Sequence, residues 1–97
     1  MDFLKGIKTG FLQAVRECYQ LELNEGEIQI NATRKEFVGD YTFVIFPLVK
    51  LLKKSPSEIG DSLGNWMEAH VEDVVSHQTI QGFLNVSLSD HFWKQSL

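Results

Sequence analysis

The 97-residue sequence predicts a single α+β domain, a small antiparallel sheet of about three to four strands packed with about three α-helices. Three observations predict it. Near the N-terminus apolar residues recur at helical steps. In mid-chain, Ser55-Pro56-Ser57-Glu58 is a strong helix start. Near the end, two runs of strand character are separated only by Gln81-Gly82.

Taken in order, Phe3, Leu4, Ile7, Phe11, Val15 and Cys18 or Tyr19 make one apolar stripe. Lys5, Lys8, Gln13, Arg16, Glu17 and Gln20 fall mostly on the other side, and Asn24-Glu25-Gly26 ends the helix. Residues 27–33 read as a strand, with Ile28, Ile30 and Ala32 alternating against Gln29, Asn31 and Thr33. A polar loop over residues 34–39 follows. Asp40 is then placed to cap a helix over residues 41–54, bent near Pro47.

Ser55 is an N-cap, Pro56 occupies the first helical position, and Glu58 sits three residues after the cap. Ile59, Leu63, Trp66, Met67 and His70 or Val71 form the stripe of that helix. Gly60 and Gly64, one turn apart, suit close approach of a neighbouring element. His70 lies where it would complement the helix dipole. Residues 74–80 and 83–88 read as strands joined by a tight turn, and Ser89-Asp90 caps a terminal helix carrying Phe92 and Trp93.

The last strand has two faces. Leu84, Val86 and Leu88 point to a core, while Gln81, Phe83, Asn85 and Ser87 point the other way. Two readings of Phe83 stand side by side: a ring covered by a helix, or a ring that stacks on an unpaired base with amides beside it.

Composition narrows the function classes. A single cysteine, Cys18, excludes an internal disulfide framework and fits a reducing compartment. Cys18, His70, His77 and His91 lack metal-ligand spacing, so no metal site is expected. The N-terminus has neither a signal core nor a presequence, and the apolar run over residues 43–49 is too short to span a bilayer. A cytoplasmic protein without membrane contact is expected. No phosphate loop, nucleophile elbow or carboxylate pair suggests catalysis. The net charge is −4, yet Arg34, Lys35, Lys50, Lys53 and Lys54 gather in the middle third against only Glu36 and Asp40. Such a cluster suits phosphate contact.

These pieces together resemble a known family. Residues 34–41 (Arg-Lys-Glu-Phe-Val-Gly-Asp-Tyr), then Lys53-Lys54-Ser55-Pro56, Gly82-Phe83-Leu84-Asn85 and Ser89-Asp90 resemble, in order, the N-terminal domain of bacterial arginyl-tRNA synthetases. The resemblance covers essentially the whole chain. Its departures are Val44, where many members carry asparagine, and Gln81-Gly82, where many carry Pro-Gly. It implies an appended domain that contacts the D-loop at the corner of an arginine tRNA, without catalysis of its own.

By resemblance Phe83 and Asn85, with Gln81 as a weaker nominee, are base contacts, and Gly39, Asp40, Tyr41 and Gly82 are motif positions. Arg34, Lys35, Lys50, Lys53 and Lys54 are nominated for phosphates on charge alone. The resemblance further implies a longer class I enzyme, with ATP and Mg in its catalytic domain. The chain then reads as the front fragment, from a natural Met1 to a connecting helix. No cofactor is expected in the fragment, its partners are tRNA and the parent's catalytic domain, and it is expected to be monomeric. The alternative is a docking module whose Phe83 and Trp93 pack on another domain without touching nucleic acid.

Overall fold

The structure, a computed structural model, describes residues 4–96. Its elements run α1 (Lys5–Tyr19), β1 (Ile30–Ala32), β2 (Tyr41–Val44), α2 (Phe46–Leu52), α3 (Pro56–His70), β3 (Val74–Ile80), β4 (Phe83–Leu88) and α4 (Asp90–Ser96). The four strands form one antiparallel sheet in the order β1-β2-β4-β3. This is the α+β architecture that the sequence predicts.

The pairing register sorts side chains onto two faces. Phe43 opposite Leu84, Tyr41 opposite Val86, and His77 opposite Val86 place these residues on an inner face. Two long helices cover that face. Phe11 of α1 stacks on Phe43 with ring centroids 4.3 Å apart and planes 5° from parallel. Ile59, Leu63 and Met67 of α3 are fully buried with Leu84 and Val86.

Glycines set the closeness of α3. A Cβ on Gly60 would lie 2.4 Å from the Thr79 side chain, and one on Gly64 would lie 2.3 Å from the His77 ring. The helix therefore rests its backbone on β3, as the spacing of these glycines predicts. Gly10 of α1 meets Val71 in the same manner.

The Ser55 cap is present, its Oγ accepting from the Glu58 amide at 3.1 Å. So is the terminal cap, in which Ser89 Oγ accepts from the Phe92 amide at 3.1 Å. The β3 and β4 boundaries are those read from the sequence, with a register shift between Val74 and Ser76.

Several local expectations are corrected. The first helix ends at Tyr19, because Gln20 adopts a left-handed conformation (φ 53°) and its amide bonds back to the Arg16 carbonyl. Asn24 and Glu27 instead bracket a 3-10 turn, the Asn24 amide donating to Glu27 Oε1 at 3.2 Å. The first strand is shorter than residues 27–33 and lies at the sheet edge, where Ala32 is exposed. The segment 41–54 is not one bent helix. Its first part is the central strand β2, and Pro47 sits in the first turn of α2, where no amide hydrogen bond is forfeited. Two short helices, α2 and α4, join the two long ones. Phe3, placed on the first stripe by its spacing, lies outside the described residues.

Among the described residues, no helix is long and apolar enough to cross a membrane.

Candidate functional site

The outer face of the sheet is organised in rows across the strands. Ile80, Phe83 and Val44 are register neighbours on β3, β4 and β2 and make an apolar row. One step further along β4, Gln78, Asn85, Thr42 and Asn31 make a polar row. Phe83 is 37% exposed. Phe46, at the start of α2, stands edge-on to it, with centroids 5.7 Å apart and planes at 85°.

Phe46 reaches this position by crossing the β3–β4 turn. A Cβ on Gly82 would lie 2.4 Å from the Phe46 ring, and the Ile45 amide donates to the Gly82 carbonyl at 2.9 Å. Gly82 is thus required for clearance. The left-handed residue of the turn is Gln81 (φ 51°), whose side chain is exposed at the hairpin tip. The ring of Phe83 is propped from one side and open on another. Phe46 escaped sequence reasoning because it was assigned to a helix interior; its place directly before Pro47 was the available signal.

Asn85 is placed differently from Phe83. Its side chain is 2% exposed, and its Oδ1 accepts from Thr42 Oγ1 at 2.5 Å. Thr42 is in turn bonded to Thr33 Oγ1 at 2.9 Å. Gly39, at φ 138°, backs onto this group: a Cβ there would lie 3.0 Å from Asn85 Cβ and 3.2 Å from Thr33 Oγ1. The loop over residues 34–39 therefore closes the end of the face beyond Asn85.

Asp40 is not a helix cap. Its carboxylate accepts from the Leu88 amide at 2.7 Å, while its own amide donates to the Val86 carbonyl at 2.8 Å. The Gly39-Asp40 pair thus ties the loop to the far end of β4. Tyr41 stacks with Trp93 of α4 at 6.3 Å, and Phe92 is buried in the core. The terminal helix accordingly packs at Tyr41 and leaves Phe83 uncovered.

The basic residues fall into two groups. Arg34 and Lys35 lie in the loop that borders the polar row, and both are exposed. Lys50, Lys53 and Lys54 lie on α2 and just after it. Lys54 is shared with Glu58 at 3.4 Å, whereas Arg34, Lys35, Lys50 and Lys53 form no ion pair among the described residues.

A separate polar cluster on the inner face joins α3 to β3. The His77 ring is bonded through Nδ1 to Glu68 and through Nε2 to Asp61 at 3.3 Å, and Thr79 Oγ1 donates to Asp61 at 2.9 Å. It faces the glycine stripe of α3 and serves to seat that helix. Among the described residues, no group of His, Cys, Asp and Glu could hold a metal ion. Burial, and secondarily the Glu17 charge, push the Cys18 thiol above its ordinary pKa, and the thiol donates to the Ser62 carbonyl.

Comparison with known proteins bears on the whole chain. The profile described as the arginyl tRNA synthetase N terminal domain matches residues 5–88. The arginine–tRNA ligase of Porphyromonas gingivalis is 33% identical over 97 residues, covering 100% of this chain and 16% of that protein. That of Amoebophilus asiaticus is 30% identical over 90 residues, covering 93% and 15%. The chain thus spans only about 16% of the length of such relatives. In fold, it matches the structure of Thermus thermophilus arginyl-tRNA synthetase with a TM-score of 0.77 and 23% identity, over 95% of this chain and 15% of that one.

Proposed function

From the premise that the chain belongs to the arginyl-tRNA synthetase N-terminal domain family, we propose that it serves an arginine–tRNA ligase as an appended tRNA-contacting domain, with the outer sheet face as its contact. The observation that carries this reading is Phe83. A large ring, 37% exposed on a rigid strand and propped edge-on by Phe46, is a stacking surface for an unpaired base. The polar row beside it supplies hydrogen-bonding groups within one strand step, and Gln81 reaches from the turn.

A base stacked on Phe83 comes from a single-stranded loop, since bases inside a duplex present no free face. The D-loop at the tRNA corner is such a loop. Arg34 and Lys35 border the polar row and hold the adjoining phosphates, while Lys50 and Lys53 extend the positive field along α2. The domain alone activates no amino acid. Arginine activation, with its ATP and Mg, belongs to the catalytic domain of the parent enzyme, which is the domain's second partner.

Titration of an arginine tRNA transcript at low salt tests this. Loss of stacking in Phe83→Ala removes about 1–3 kcal/mol of binding, and the affinity of both proteins falls steeply as salt rises. Equal affinity of the two at low salt rejects the contact.

A docking reading is favoured by a different observation. Leu51 is 59% exposed beside an apolar cleft lined by Phe11, Leu23, Ile28, Pro47 and Leu48. Docking there predicts a footprint of the parent enzyme confined to the anticodon and acceptor ends of the tRNA. Protection of the D-loop supports the RNA contact.

A further inference from the structure

We propose that the turn Arg34-Lys35-Glu36-Phe37 is a second subsite for single-stranded RNA, in which the Phe37 ring stacks on a further unpaired base while Arg34 and Lys35 hold the phosphates beside it. The inference rests on the outer sheet face being an RNA contact and adds a second ring, carried by a loop outside β4.

The turn is built to present these side chains. The Phe37 amide donates to the Arg34 carbonyl at 3.0 Å, which closes a four-residue turn and brings the cation and the ring within about 7 Å along the backbone. Both ends of the loop are pinned. The Thr33 amide donates to the Asp40 carbonyl at 3.1 Å, the Thr33 and Thr42 hydroxyls share a bond of 2.9 Å, and Asp40 is tied to Val86 and Leu88. Yet the middle of the loop buries little: Phe37 is 41% exposed and Val38 is 68% exposed. A pinned loop that shows a ring to solvent spends little conformational entropy when a ligand covers that ring.

Charge selects the ligand. Arg34 and Lys35 are exposed and form no ion pair among the described residues. The carboxylates nearby are Glu36, inside the turn, and Asp40, which is engaged by the Leu88 amide. Aromatic rings set among such cations suit a polyanion whose bases offer flat faces, whereas lysine is depleted where proteins meet proteins. Position links the turn to Phe83. Gly39 lies against Asn85, which is two residues along β4 from Phe83, so the two rings stand within roughly 20 Å of each other. Two bases of one unpaired stretch can reach both.

The test titrates this 97-residue chain at low salt with an arginine tRNA transcript, and with transcripts carrying 2-aminopurine at each unpaired position of the tRNA corner in turn. Phe37→Ala weakens binding by about five- to a hundredfold, the scale of one lost stack. Phe37→Tyr retains affinity, while Phe37→Leu, apolar but without an aromatic face, does not. Binding to wild type changes the fluorescence at two positions; Phe37→Ala abolishes one change and Phe83→Ala the other. Arg34→Gln and Lys35→Gln each lower the salt slope by roughly 0.7–0.9, and Phe37→Ala leaves it unaltered. If Phe37→Ala lowers the urea midpoint, Phe37→Leu against Phe37→Tyr decides, since both keep the bulk. Wild-type affinity in Phe37→Leu overturns the stack in favour of a plain apolar contact. Weakened binding by Phe83→Ala with wild-type affinity in Phe37→Ala removes the second subsite alone and leaves Phe37 and Val38 to face protein. Unaltered binding by both removes the RNA contact and the subsite with it.

Discussion

On the inner face of the sheet, Gly60 and Gly64 let α3 settle its backbone onto β3, and Phe11 closes over Phe43. On the outer face the same strands carry no long helix, and the cover consists of one propping ring, Phe46, and the turn at Gly39. The contrast is sharpest on β4, where Leu84 and Val86 are wholly buried while Phe83 between the turn and Leu84 is 37% exposed. One face is therefore specified by packing and the other by a few side-chain contacts that hold polar and aromatic groups in place. The difference teaches where each kind of mutation should register: inner-face changes in stability, outer-face changes in binding.

The largest expected effect sets neighbours on β4 against each other. Leu84→Ala should lower stability by about 2–5 kcal/mol in urea unfolding. Phe83→Ala, already half in solvent, should lower it by about 1 kcal/mol or less. Similar losses would break the distinction between the faces.

The two close-approach glycines come next. Gly64→Ala drives a methyl into the His77 ring, which is held by Asp61 and Glu68, and should lower stability by about 1–3 kcal/mol. The three atoms nearest a Gly82→Ala methyl all belong to Phe46, which is 46% exposed and can swing outward. Its effect on urea stability should be smaller, while its displacement of the prop should weaken tRNA binding.

A smaller effect of opposite sign is expected at the turn. Gln81 is held at φ 51°, which glycine adopts without penalty, so Gln81→Gly should raise stability by about 0.5–1 kcal/mol in the same assay. Affinity for tRNA lost at the same time would assign the Gln81 side chain to the contact.

The smallest concerns Cys18, on the helix-covered side. Its thiol pKa is raised, so the folded state holds the proton more tightly than the unfolded one. Its contribution to stability is full below the ordinary thiol pKa and is lost as pH rises through the raised value. A slight decline of stability in alkaline urea titrations, absent in Cys18→Ser, is the expected outcome. Alkylation near pH 8 should likewise be slower than for a free thiol.

The ease of reading this molecule from its sequence followed the range of the interactions. Ser55-Pro56-Ser57-Glu58 and Ser89 cap helices through bonds three residues long, and both were legible. So was the β3–β4 hairpin, whose strands meet across two residues. The stretch from Tyr41 to Val44 was not. Its residues fit either period, and its identity as a strand depends on pairing with β4, some forty residues away. Asp40 is a similar case: an acid that could cap a helix is instead fixed by the amide of Leu88, 48 residues on. At the candidate site, Phe83 was found through the alternation of β4, but the enclosure of Asn85 by Thr42 and Gly39 required the fold.

The most direct test of the account is a map of both faces at once. Titrating the isotopically labelled chain with an arginine tRNA transcript at low salt, and following amide and side-chain signals by NMR, distinguishes them. The account predicts shifts or broadening at Phe83, Gln81, Gln78, Ile80, the Asn85 side-chain NH2 and the loop over residues 34–39, with α1 and α3 unchanged. Perturbation centred on Leu23, Ile28 and Leu51, with Phe83 and Asn85 unmoved, would contradict it.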